Sequence, residues 1–263
     1  MNSIYFIFLF IIIVFIVLYI IYKLYRKKPL NIPKNQQPKI LIIGGGMSGI
    51  CQAITLLKNG ITNFSILEEG SKERHGTWGK NIYPNAACDV PSHLYSFSFE
   101  PNPYWSTKFP LQHELWSYLN HLKKKYQLES HYLYHHNVCA AKYNQHNYQW
   151  ILHIQKNQQE IIMMKCNILI SATGQLNKPS FPHIKGMKSF QGYHLHTSQF
   201  KTTDINNHII DKKIALIGTG ASAIQLLPAL LKQAKHVTIF QRSPNYITPK
   251  LDYSYPIFIQ NIF

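Results

Sequence analysis

The sequence predicts an α/β fold of two Rossmann-like dinucleotide-binding units behind an N-terminal transmembrane helix, and three observations predict it. Gly44-Gly45-Gly46-Met47-Ser48-Gly49 stands between a strand-like apolar run and a helix-like one. Gly218-Thr219-Gly220-Ala221-Ser222-Ala223 stands in the same context much later in the chain. Ile4 to Tyr22 is a run of nineteen residues without a charge, rich in Ile, Phe, Leu and Val.

That apolar run comes first. As a helix it would extend roughly 28 Å, close to the ~30 Å of a hydrocarbon core. A secretory signal peptide would carry a basic residue before the run and a small-residue cleavage site after it, and neither is present. Lys23, Arg26, Lys27 and Lys28 follow the run and no basic residue precedes it. The positive-inside rule therefore places the body of the chain on the cytoplasmic side of a membrane as a single-pass protein. Pro29, Pro33 and Pro38 among Asn and Gln read as a polar tether over 29–38.

The periodicity then gives a strand (Lys39 to Ile43), a helix (Ser48 to Lys58, ended by Asn59-Gly60) and a strand (Asn63 to Glu68). After a long loop region from Gly70 to about Pro110, a helix is expected over Leu111 to Tyr126, with Leu111, Leu115, Trp116, Leu119 and Leu122 on its core face. Alternating runs at Val138 to Tyr143, Tyr148 to Ile154 and Glu160 to Cys166 predict a small antiparallel meander, and Asn167 to Ser171 returns as an apolar strand. The second unit is a strand (Lys213 to Ile217), a helix (Ala221 to about Lys232) and a strand (His236 to Phe240). The expected organisation is an anchor with its basic flank (1–28), the tether (29–38), a first nucleotide domain with the meander (39–180), an interdomain linker (181–212) and part of a second nucleotide domain (213–263).

Composition narrows the function. The 263 residues carry 27 Lys and Arg against 11 Asp and Glu, a formal charge of +16. No basic arm interleaved with stacking aromatics accompanies that charge, which argues against nucleic acid. The four cysteines, Cys51, Cys88, Cys139 and Cys166, show no metal-ligand spacing and read as reduced thiols, and the fourteen histidines are dispersed, so no metal site is expected.

The chemistry lies in the glycine turns. In the first, Gly44 permits the tight turn, Gly46 lets backbone approach a pyrophosphate and Gly49 allows close helix packing, with Ser48 between them. Glu68, at the end of the next strand, is placed to accept hydrogen bonds from a ribose diol. Glu68 follows Gly44 by the same interval at which Arg242 follows Gly218. A carboxylate repels a 2′-phosphate whereas a guanidinium binds one bidentately, so the second turn, with Gly218, Thr219, Gly220, Ala221 and Ser222, is expected to prefer NADPH to NADH.

Between the turns lie His75-Gly76-Thr77-Trp78 and Tyr83-Pro84-Asn85-Ala86-Ala87-Cys88-Asp89-Val90-Pro91-Ser92-His93-Leu94-Tyr95. Further on come Phe190-x-Gly192-x-x-x-His196-x-x-x-Phe200 and Phe240-Gln241-Arg242-Ser243-Pro244-Asn245. Together these segments resemble the flavin-dependent class B monooxygenases, most closely the type I Baeyer–Villiger branch. The resemblance covers roughly Lys39 to Lys250 and implies FAD on the first turn and NADPH on the second. It implies a C4a-peroxyflavin that oxygenates a small organic substrate with O2, a ketone becoming an ester or lactone. It adds Gly76, Thr77, Trp78, Asp89, Tyr95 and the backbone near Val138 to the cofactor contacts, and it makes Asp89 the catalytic candidate. His196 would sit in the linker and couple domain movement.

Three departures accompany the resemblance. His75 and Asn85 stand where the family has glycine, and both types tolerate positive φ better than most. Phe200 stands where Baeyer–Villiger members usually have Trp, which leaves N- or S-oxygenation as an alternative reaction. The family's later FAD segment and active-site arginine do not occur before Phe263, so a non-catalytic nucleotide-binding remnant is the other alternative.

Overall fold

The computed structural model describes every residue except 1, 26–28, 202, 247, 257–259 and 261–263, and for 2–6, 22, 24 and 25 it describes the backbone alone. Helix α1 runs Asn2–Tyr25. Its described side chains from Ile7 to Ile21 are all exposed. Among the described residues no helix is long and apolar enough to cross a membrane, so the expected transmembrane span is not supported. The described apolar side chains cover about 22 Å of helix against a core of ~30 Å. The side chains at both ends of the expected span are not described, and Arg26, Lys27 and Lys28 of its basic flank lie outside the described residues.

The body begins with β1 (Ile40–Ile43), α2 (Met47–Lys58) and β2 (Phe64–Leu67). Helix α2 closes at Asn59, where Gly60 takes a φ of 79° that L-residues avoid. After the loop region come α3 (Gly76–Lys80) and α4 (Gln112–Lys125), then the short strand β3 (Tyr132–Leu133). The antiparallel meander is β4 (His136–Asn144), β5 (Gln149–Lys156) and β6 (Glu160–Cys166), and β7 (Ile168–Ser171) re-enters the first sheet. That sheet has the order β3-β2-β1-β7 with all pairings parallel.

Both faces of this sheet are covered, which explains why β1 and β2 read as near-continuous apolar runs. Ile40, Ile42 and Ile66 pack with Ile50, Ala53 and Ile54 of α2 and with Leu115, Leu119 and Leu122 of α4. On the opposite face Leu41 and Leu67 meet Leu152, Ile154 and Cys166 of the meander. The predicted face of α4 is buried at Leu115, Leu119 and Leu122, whereas Leu111 becomes its N-cap and is exposed. Tyr118 and Lys123 are buried instead.

The second unit consists of β8 (Lys213–Ile217), α5 (Ala221–Gln233) and β9 (His236–Phe240), the two strands pairing in parallel. Leu216, Leu226 and Leu230 form its core with Phe200 and Ile209 of the linker. Tyr83 and Ala86, from the loop after α3, complete that cluster and join the two units.

The segment expected as a tether is pinned to the body. Gln37 is buried; its Nε2 donates to the carbonyls of Ile32 (2.7 Å) and Gly60 (2.9 Å), and its Oε1 accepts from the amides of Thr62 (2.7 Å) and Asn63 (3.1 Å). One amide side chain thereby supplies the partners for a turn that neither strand nor helix satisfies.

Candidate nucleotide sites

The first turn connects β1 to α2. Gly44 donates its N–H to Leu67 O at 2.8 Å and has a φ of 98°, a conformation that favours glycine. A Cβ there would collide with the Ala172 carbonyl at the end of β7, and one on Gly49 would collide with the carbonyl of Gly44. Gly46 is the N-cap of α2 and has no side-chain cap. The first amides of α2 are therefore free for an anion, and the helix dipole favours one there. Glu68 is 3% exposed. Its two oxygens accept from Gly45 N–H and Gly70 N–H, each at 2.7 Å. Each carboxylate oxygen keeps a second acceptor position, which a ribose hydroxyl can use.

The second turn repeats the construction between β8 and α5. Gly218 donates its N–H to Phe240 O at 2.9 Å, has a φ of 101°, and among the described residues no atom beyond its chain neighbours lies within 4 Å of where its Cβ would be. The same open space faces Gly220, the uncapped N-cap of α5. Asn245 Nδ2 donates to Thr219 O (2.7 Å) and Thr219 Oγ1 (2.9 Å), holding the turn from the far side of β9. Arg242 is exposed just beyond β9, and Ala221 is exposed at the start of α5.

Comparison with known proteins decides the family. The model of the pyridine nucleotide-disulphide oxidoreductase family matches residues 41–261. The chain belongs to this family. Its relatives include an FAD-binding monooxygenase of Aspergillus niger, 39% identical over 218 residues, covering 80% of this chain and 35% of that protein. A Baeyer–Villiger monooxygenase of Streptomyces coelicolor is 34% identical, covering 83% of this chain and 40% of that protein. Among solved structures, OTEMO in complex with FAD and NADP aligns with a TM-score of 0.75 and 29% identity over 86% of this chain and 43% of its own. Polycyclic ketone monooxygenase of Thermothelomyces thermophila aligns with a TM-score of 0.78 and 25% identity over 90% of this chain and 40% of its own. The chain thus spans about two fifths of the length of these family members. The resemblance read from the motifs is to this flavin-dependent monooxygenase group.

Several of the family-like segments converge on the first turn. Gly76 has a φ of 60°, and a Cβ on it would lie 2.7 Å from Gly46 Cα, so the start of α3 rests directly on the turn. Trp78 Nε1 donates to Tyr95 OH at 3.2 Å with the rings edge to face, and Gln112 Nε2 donates to Trp78 O. Thr77 and Ser48 are exposed near the turn's rim, and Val138 lies partly buried in β4, just before a register shift.

The departures behave differently from one another. Asn85 takes a left-handed φ of 60°, as expected for a residue replacing glycine. His75 does not: its φ of −146° is extended backbone, open to any residue, and the positive φ falls on Gly76. The tolerance for positive φ expected of His75 is therefore not used, because the turn is made one residue later. Asp89 is exposed. Its carboxylate therefore carries no burial cost. His196 caps the turn Thr197–Gln199, its Nδ1 accepting from Ser198 N–H at 3.2 Å. Phe200 is 2% exposed, and Arg74 donates to its carbonyl at 3.0 Å, tying the linker to the first unit.

Sequence reading missed four participants. Tyr132 OH donates to Gly45 O at 2.8 Å, and the edge of its ring covers Gly45. His75 and Lys123 are buried behind it, at 1% and 4% exposure. Gln225 of α5 accepts from Tyr83 OH (2.9 Å) and Ala87 N–H (3.3 Å) and donates to Ala87 O (2.9 Å), while Tyr83 OH also reaches Ser222 Oγ at 3.2 Å. The only sequence signal was a glutamine and a lysine on otherwise apolar helix faces.

Proposed function

We propose that the chain carries the FAD- and NADPH-binding units of a monooxygenase that uses O2 to oxygenate a small organic ketone, giving an ester or lactone. The observation that supports this most is the first turn, where a Cβ-free approach at Gly44, Gly46 and Gly49, an uncapped helix start and the acceptor Glu68 meet at the ends of parallel strands. Those residues fit the pyrophosphate and ribose of FAD. When bound, FAD would supply hydride acceptance and oxygen activation. The chain's own part is to bind and orient: Gly46, Ser48 and Gly49 offer amides to phosphate, Glu68 accepts from ribose, and Thr77, Trp78, Tyr95 and the backbone near Val138 are further contacts on the strength of the family-like segments. Gly218, Thr219, Gly220, Ala221 and Ser222 would hold the NADPH pyrophosphate and Arg242 its 2′-phosphate. Asp89 remains the catalytic candidate on the strength of the family-like segment around it.

Two measurements test this reading. Purified chain mixed with FAD and gel-filtered should carry the flavin absorbance with it; colourless protein after reconstitution overturns the proposal. Arg242→Ala should weaken NADP+ binding by roughly tenfold to a hundredfold, the worth of a charge-assisted bidentate contact, with little change for NAD+. Equal losses for both nucleotides would remove Arg242 from the 2′-phosphate site.

Nucleotide binding without catalysis is the second reading, favoured by the exposure of Asp89. Oxidation of thioethers or amines with no action on ketones would instead favour N- or S-oxygenation. We also propose that α1 associates the protein with a membrane, the body facing the cytoplasm. The uncharged run Ile4 to Tyr22 and the basic residues after it support this.

A further inference from the structure

Behind the first turn lies a group of buried titratable side chains that the nucleotide site does not use. His75 immediately precedes Gly76, the residue resting on Gly46. Its Nδ1 is 3.0 Å from Ser71 O, and a carbonyl can only accept, so Nδ1 carries the proton and Nε2 is an acceptor. Nε2 faces Lys123 Nζ at 3.4 Å. Lys123 also donates to Tyr134 OH at 2.8 Å, lies 3.6 Å from Glu129 Oε2, and stands 4.6 Å from the ring centre of Tyr132, the ring that covers Gly45. The turn is thus held on two sides by one cluster: Gly76 presses on Gly46 and Tyr132 on Gly45.

We propose that His75 and Lys123 form a buried positioning pair that holds the FAD turn in place only while His75 is neutral. The inference rests on FAD occupying the first turn. Protonated, His75 would turn an Nε2–H toward the lysine ammonium, setting donor against donor and cation against cation between two almost fully buried side chains. The opposing charges are few. Glu68, at the end of β2, is committed to Gly45 and Gly70; Glu129, beyond α4, is shared by Lys123 and Lys72, the latter at 3.1 Å. Tyr132 and Tyr134, from β3 and just after it, are held neutral, since burial pushes both phenols up. Burial and the neighbouring Lys123 both push the imidazole pKa down, in agreement with the geometry. Movement of the α3 start relieves the repulsion most directly, and it draws Gly76 off Gly46.

The test uses the full chain with FAD titrated by flavin fluorescence from about pH 8 down to about pH 5, a window that reaches below the ordinary histidine value because the His75 pKa is pushed down. Wild type should lose affinity about tenfold or more on acidification, the change that one unit of pKa linkage gives. His75→Gln keeps a donor for Ser71 O and an acceptor for Lys123 but cannot become cationic; it should bind FAD as wild type does near pH 8 and hold that affinity on acidification. Lys123→Met should raise the pH at which the His75 ring titrates by NMR in the FAD-free protein. An unchanged titration midpoint in Lys123→Met, or a wild-type pH course in His75→Gln, overturns the proposal. Absence of FAD binding to wild type near pH 8 is a different result and removes the cofactor reading itself.

Discussion

Gly44→Val is expected to yield a protein that retains no FAD and is less stable by ~3 kcal/mol, from a left-handed backbone forced on a β-branched residue and a steric collision added to it. The φ of 98° already excludes valine without strain. The new side chain would also meet the Ala172 carbonyl, which is fixed because Ala172 N–H donates to Ile43 O at 2.8 Å at the end of the β1–β7 ladder. Neither strand can give way without breaking the parallel sheet. Denaturant unfolding and flavin absorbance after gel filtration check the two halves separately. A valine variant that keeps its flavin would show that the turn does not approach the cofactor.

The second large effect is expected at Glu68. Glu68→Gln should weaken FAD binding about a hundredfold and destabilise the FAD-free chain by ~2–3 kcal/mol, because hydrogen bonds to a charged acceptor are worth ~1.5–3 kcal/mol and one is replaced by a donor facing a donor. The glutamine oxygen can accept from only one side of the gap between Gly45 N–H and Gly70 N–H; its NH2 group then points at the other amide. Glu68 is thus both a structural strut and a ribose acceptor. A structural role alone would lower stability and leave the Kd for FAD near wild type once the protein is folded, so measuring both separates the two.

Much of this was legible in the chain. The glycine patterns, the apolar runs around them and the alternation of 136–166 are local signals, set by backbone conformation and by side-chain periods of 2 and 3.6. Helix α5 and strands β8 and β9 fall where those signals place them. Strand β3 was not legible, because two residues carry no period and Tyr132–Leu133 is a strand only by pairing with Ile66 and Leu67. The extended φ of His75 was equally hidden, since comparison by residue type suggested a positive value and the turn shifted it to Gly76.

The sequence by itself determined where the nucleotide turns are and which chemistry they suit, since glycine spacing, a strand before and a helix after are properties of neighbouring residues. Only the tertiary structure decided what holds those turns in position. Tyr132 against Gly45, Lys123 against His75 and Gln225 against Ala87 are contacts between residues 87, 48 and 138 positions apart. No local pattern encodes such pairs. A buried polar group must find its partner wherever packing leaves one, and packing is a property of the whole chain.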